Sequence, residues 1–165
     1  MLLNRQLENS IIESLHNVKD PEINTISIVD LGMVEKVVVK GSDVLIELLP
    51  TFMGCPALDI IRNKVVQETE KLNLFERIQV QFVYDPPWTS DRITEQGREH
   101  LKQFGIAPPP TKVSETGEWQ VACPYCNSIY TTLENIFGPT ACRSILYCRS
   151  CKNPFEAMKP VSTLL

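Results

Sequence analysis

Two Cys-x-x-Cys knuckles, Cys123-Pro-Tyr-Cys126 and Cys148-Arg-Ser-Cys151, lie near the end of the chain with 21 residues between them. Four thiols so placed constrain the C-terminal segment more tightly than any hydrophobic pattern does. Each knuckle sets two sulfurs on one tight turn, and two facing turns complete the tetrahedron of a closed structural zinc site, with Zn–S bonds of about 2.3 Å. The spacer is slightly longer than the roughly 15 to 20 residues of the usual ribbon pattern. A module too small to bury a large core commonly relies on a metal for its stability. The sequence therefore predicts a zinc ribbon over residues 120–165, with Cys123, Cys126, Cys148 and Cys151 as ligands. Four thiolates accept iron as well as zinc.

The remaining length, out of 165 residues, suffices for one small ordinary domain ahead of the ribbon. The opening MLLNRQLENS reaches charges and amides too soon for a signal peptide, and no run of about 18 apolar residues follows. A cytoplasmic, membrane-free protein is expected, and in a reducing compartment clustered cysteines read as metal ligands rather than disulfides. Charge is uneven. The first 110 residues hold 11 basic against 16 acidic side chains, a net of −5, which disfavours nucleic acid as a partner. Arg143, Arg149 and Lys152 form a weak basic grouping, expected on the solvated surface of the ribbon.

Between Asn4 and Asn17, Leu7, Ile11, Ile12 and Leu15 recur at helical spacing, and the helix should stop before Asp20-Pro21. A short extended segment is expected at Ser27–Val29. Val34–Lys40 and Val44–Leu49 alternate around Gly41-Ser42 as a β-hairpin. A helix follows Pro56, which suits a first helical turn and puts Cys55 at or beside the N-cap. Ile78–Tyr84 reads as a strand, and Thr94–Phe104 as a helix closed by Gly105. This order predicts an α+β domain over residues 1–105: a small mixed sheet of three or four strands with helices on one face. The proline-rich stretch 106–119 reads as a semi-rigid linker to the ribbon at 120–165, whose short strands are expected at Ile129–Asn135, Arg143–Tyr147 and Phe155–Met158.

Cys55 is the first domain's chemically notable residue. A thiol at a helix N-terminus sits at the positive end of the helix dipole, which favours thiolate. It could hold a metal or a cluster transiently, or be a small buried side chain under its loop. Nucleophilic catalysis is disfavoured, because the two histidines, His16 and His100, sit on helices with no third group to orient them. Asp20, Glu22 and Asp30 fall near one end of the predicted sheet, where carboxylates serve a metal or partner, or simply cap turns. Trp88, after two prolines, reads as an aromatic plug or an interface residue. Cys142 is a spare thiol that could pack in the ribbon, substitute as a ligand, or react at the surface.

Asp20-Pro-Glu-Ile, Ser27-Ile-Val-Asp-Leu-Gly-Met-Val34, Gly-Cys-Pro56 and Asp85-Pro-Pro-Trp-Thr-Ser-Asp91 together resemble the metal–sulfur cluster assembly family that includes SufT, over most of residues 5–105. With the ribbon, and with Phe137-Gly-Pro-Thr-Ala-Cys142 ahead of its second knuckle, the whole chain resembles the PaaD (PaaJ) family, the D subunits of the phenylacetyl-CoA 1,2-epoxidase system. The resemblance implies an accessory subunit in aerobic phenylacetate degradation, partnered by oxygenase and reductase subunits. It further implies help in maturing an iron–sulfur or di-iron centre of those partners, with Cys55 as the cluster-handling thiol and Asp20 and Asp30 beside it. A di-iron site takes a Glu-x-x-His from each of two helices, whereas this chain has a single one, Glu13-Ser-Leu-His16, and no flavin fingerprint, so catalysis by this subunit alone is not expected. Many relatives carry a further cysteine after the final Pro-Phe, where this chain has Glu156, so no role of that thiol transfers. Two other readings stand beside this one: a structural adaptor docking its partners through the ribbon, and a nucleic-acid-binding ribbon that the charge disfavours.

Overall fold

The computed structural model describes residues 2–110 and 120–161, and most of the expected linker, 111–119, lies outside the described residues. Contacts divide the chain into two compact units, Met1–Trp88 and Thr89–Leu165.

The first unit runs α1 (Leu2–Leu15), β1 (Val34–Lys40), β2 (Asp43–Leu48), α2 (Leu58–Glu70) and β3 (Arg77–Phe82). β1 and β2 form the expected antiparallel hairpin, turning at Gly41, whose φ of 63° a residue with a Cβ adopts reluctantly. α2 then carries the chain back so that β3 pairs parallel with β2, the crossover that a parallel neighbour requires. The result is a three-stranded mixed sheet, ordered β1-β2-β3, with α1 contacting β1 and α2 contacting β3. Ile11 and Leu15 of α1, Ile46 and Leu48 of β2, and Ile61 and Val65 of α2 are buried together as its core.

The segment between α1 and β1 belongs to that core. Ile23, Ile26, Ile28, Leu31 and Met33 are all buried, although the chain there makes turns rather than the extended run expected at Ser27–Val29. Only an isolated bridge, Lys19 to Ser27, resembles strand pairing. The turns close on local bonds, Leu31 N–H to the Ser27 carbonyl and Gly32 N–H to the Val29 carbonyl, so few backbone groups remain for a ladder. Trp88 ends the unit as a buried plug, and its indole N–H donates to the Leu31 carbonyl at 2.9 Å.

The second unit holds a 3-10 turn at Ser90–Arg92, α3 (Glu95–Phe104), β4 (Ile106–Ala107), β5 (Thr131–Asn135), β6 (Arg143–Cys148) and β7 (Pro154–Met158). Its sheet is ordered β4-β7-β6-β5. α3 is capped by Thr94, whose hydroxyl accepts from Gly97 N–H, and is stopped by left-handed Gly105. The sequence predicts α3 on the first sheet, but its contacts are with β4, which starts immediately after Gly105 and pairs parallel with β7. Ile106 and Ala107 are thus strand residues rather than linker. Arg98 ties the same region together, donating to the carbonyls of Pro109 and Ser90, while Ser90 N–H bonds to the carbonyl of Val161.

Arg143 departs from the solvated position expected for it: it is buried, and its guanidinium meets Glu156 at 2.7 Å, while Arg149 and Lys152 are exposed. The turn feeding β6 leaves no room at Gly138, where a Cβ would come within 2.8 Å of the Arg143 backbone. Gly138→Ala is therefore expected to destabilise the second unit by about 1–3 kcal/mol, as overpacking does, with the first unit unaffected. Hydrogen exchange read separately over the two units checks it. Among the described residues, no helix is long and apolar enough to cross a membrane.

Candidate metal centre

The two knuckles are built alike, which explains why they meet. In the first, Asn127 N–H donates to the Cys123 carbonyl and Cys123 N–H to the Ser128 carbonyl; in the second, Lys152 N–H donates to the Cys148 carbonyl and Cys148 N–H to the Asn153 carbonyl. Asn127 and Lys152 occupy the same place in each turn, with left-handed φ of 59° and 63°. Such a φ costs a non-glycine residue about 1–2 kcal/mol, which the surrounding knuckle must hold in place. The Ser128 and Ser150 hydroxyls join the two turns at 2.7 Å.

The four Sγ atoms of Cys123, Cys126, Cys148 and Cys151 lie within 4.8 Å of one another. The Cys123–Cys151 and Cys126–Cys148 separations are 3.7 and 3.6 Å, and none of the six cysteines is in a disulfide. A tetrahedron with Zn–S bonds of about 2.3 Å has sulfur edges of about 3.8 Å, so the tetrad fits a single tetrahedral ion, while the gaps far exceed a disulfide bond. Cys123 and Cys148 are buried in a small apolar core with Ala107, Val121, Leu146, Phe155 and Ala157, whereas Cys126 is exposed. The thiols differ in acidity. Hydrogen bonding from the Asn153 side chain lowers Cys151 to about 6; at Cys126 a lowering backbone bond to Ser128 is outweighed by desolvation and the other three sulfurs, which push it up to about 12. Metal capture displaces the protons that remain bound, so affinity falls as pH drops. Cys142 is outside the tetrad, half-buried with its sulfur 3.2 Å from the Thr140 hydroxyl.

In the first unit the candidate residues do not form a second cluster of this kind: among the described residues the ribbon cysteines are the only such metal-ligand group. Asp20 closes a turn, its Oδ1 accepting from Glu22 and Ile23 N–H at 2.8 and 2.9 Å. Asp30 is buried and accepts from the Ser27 hydroxyl at 2.8 Å, with His16 Nδ1 3.8 Å away. The sequence does not pair His16 with Asp30; their spacing matches no motif, and only the turns between them bring them near. Cys55 is half-buried in the loop before α2. Its carbonyl accepts from Leu58 N–H and its N–H reaches the Phe52 carbonyl, so Pro56 and Ala57 complete a turn and the N-cap falls at Ala57, two residues beyond Cys55. No side chain caps that helix. Phe52 and Met53, beside the thiol, are exposed.

A mixed α+β domain followed by a four-thiolate β-ribbon defines a class, and the comparisons agree on both halves. Residues 8–82 match the iron–sulfur cluster assembly protein family, and residues 107–159 match the PaaD zinc β-ribbon domain. An Escherichia coli K12 protein, provisionally named as the D subunit of 1,2-phenylacetyl-CoA epoxidase, is 39% identical over 146 residues, covering 88% of each chain. The Staphylococcus aureus Fe-S protein maturation auxiliary factor SufT is 34% identical over 49% of this chain and 92% of its own. Among solved structures, a domain of unknown function, DUF59, from Bacillus anthracis superposes with a TM-score of 0.57 at 27% identity, over 61% of this chain and 95% of that one. The chain belongs to the PaaD family.

Proposed function

We propose that this chain is an accessory, maturation subunit serving a phenylacetyl-CoA epoxidase, and that it is not itself the oxygenase. The relationship to an epoxidase component along nearly the whole chain, joined to a cluster-assembly domain at 8–82, carries this reading. In it the ribbon tetrad holds a structural zinc ion, and the first unit handles iron or an iron–sulfur cluster as cargo for a partner subunit of the oxygenase or reductase. Cys55 supplies the thiolate. Its loop suits transfer better than storage: a single half-buried thiol beside exposed Phe52 and Met53 gives a cargo one anchor and an open approach, where a resident site would need several ligands. Asp20 and Asp30, which close turns between α1 and β1, would assist Cys55 as carboxylates of the same unit.

The test is to express Cys55→Ser with the epoxidase subunits and measure iron and sulfide in the purified partners. A loss of about tenfold or more in partner loading, with the variant's own zinc and fold unchanged, is expected. Partner loading equal to wild type would end the cargo role of Cys55. Metal analysis of the chain itself, purified without air, separates the roles further: zinc should survive the substitution, and any iron and sulfide should not.

A further inference from the structure

We propose that β5 is a docking edge for an extended segment of a partner protein, apolar in its middle and acidic at both ends. The proposal is independent of whether Cys55 handles a metal.

β5 is the last strand in the order β4-β7-β6-β5 and pairs on one side only, with β6. A terminal strand presents unpaired backbone N–H and C=O groups, which proteins usually blunt with charge, proline, a bulge or a cover. The first sheet is protected in this way. Along β1, Glu8 accepts from Val39 N–H and Asn4 donates to the Val39 carbonyl, while β3 carries Arg77, Gln79 and Gln81. β5 has a register irregularity between Leu133 and Asn135 and carries Glu134, yet it lies in an exposed apolar run: Tyr130 and Phe137 are 70% and 75% exposed, and Leu133 and Ile136 are about half exposed. Leu133 stands opposite Leu146, which is buried, so the apolar face of the sheet continues onto Leu133, which is about half exposed among the described residues. Apolar side chains continuous with an open edge are what strand addition uses: backbone bonds give affinity and alternate side chains give selectivity.

Charge decides which occupant fits. Arg149 is exposed and its backbone N–H bonds to the Tyr130 carbonyl, which puts a cation at the start of the edge. Lys159 Nζ sits 5.5 Å from the Phe137 ring centroid, which puts another at its end. The carboxylate between them, Glu134, accepts from the Thr132 hydroxyl. A second copy of β5 would bring two such edges together with cation facing cation in either alignment, and the parallel one would also set Glu134 against Glu134. A partner segment with carboxylates at its ends meets complementary charge instead, which selects partners and speeds encounter more than it adds raw affinity.

The experiment titrates the full chain with two synthetic alternating valine–threonine peptides, one flanked by aspartates and one by lysines. Binding is followed by anisotropy and by amide shifts. The aspartate peptide is expected to bind about tenfold more tightly at low salt, with shifts gathered at 130–137. Leu133→Lys should abolish binding, and Arg149→Glu with Lys159→Glu should reverse the preference, with zinc content unchanged in every variant. No binding, equal binding of the two peptides, or shifts centred elsewhere would overturn the proposal. So would a concentration-dependent dimer that Leu133→Lys dissolves, because the edge would then belong to a second copy.

Discussion

Cys148→Ser is expected to remove zinc from the chain and unfold the ribbon while the first unit stays folded. Cys148 combines the roles that hold this unit together. Its sulfur is one corner of the tetrad, it is fully buried, its backbone closes the second knuckle through Asn153 and Lys152, and it belongs to the seven-residue apolar core. A core that small contributes only a few kcal/mol against the ordering of a module of this length. A structural zinc site contributes about 10–16 kcal/mol of apparent binding free energy at neutral pH, so its loss exceeds any reserve the ribbon has. Zinc per chain should fall from one to near zero, and amide signals from residues 120–161 should collapse to unfolded positions while those of the first sheet remain. Cys142→Ser is the control. That thiol lies outside the tetrad, so zinc and fold should be retained. A ribbon that stays ordered and metal-loaded without Cys148 would refute the four-thiolate site.

The same cysteines show what a sequence reveals most readily. A pair of Cys-x-x-Cys turns carries its geometry in its spacing, and the tetrad appears where the spacing puts it. The helices and strands of the first sheet were also legible, because one-sided burial writes a helical or alternating period into residues such as Ile11 and Leu15 or Val44, Ile46 and Leu48. Periodicity does not say which body covers an apolar stripe. α3 has a clear amphipathic pattern, yet the two-residue strand β4 that draws it into the second unit is too short to leave any pattern of its own. Arg143 was illegible for a related reason: its burial depends on Glu156, a cross-strand partner 13 residues away. In the first domain, Asp20 accepts from Glu22 and Ile23 N–H and Asp30 accepts from the Ser27 hydroxyl, contacts that depend on how the turns fold and that motif spacing does not reveal.

Trp88→Ala is expected to give the largest loss of stability from a single side chain in the first unit, about 3–5 kcal/mol. Two terms add. Removing a buried indole, here 4% exposed, leaves a cavity that the turns at 23–33 can only partly fill, because those turns are fixed by their own short hydrogen bonds. The Leu31 carbonyl also loses its indole donor, and a buried acceptor left without a partner costs about 1–3 kcal/mol. Trp88→Phe separates the terms: most of the packing stays and the donor goes, so the loss should fall to the lower end of that range. Denaturant unfolding of the three proteins, followed by a probe on the first sheet, reads both, with the slope unchanged if only stability has moved. The consequence extends beyond stability, because the turns that Trp88 holds are the ones that carry Asp30 and lead into β1. If Trp88→Ala loosens them without unfolding the sheet, hydrogen exchange should rise first at Leu31 and Gly32. Partner loading should then fall even though Cys55 is intact. Equal exchange throughout the unit would instead mean that Trp88 supports the whole fold evenly and does not act through this loop.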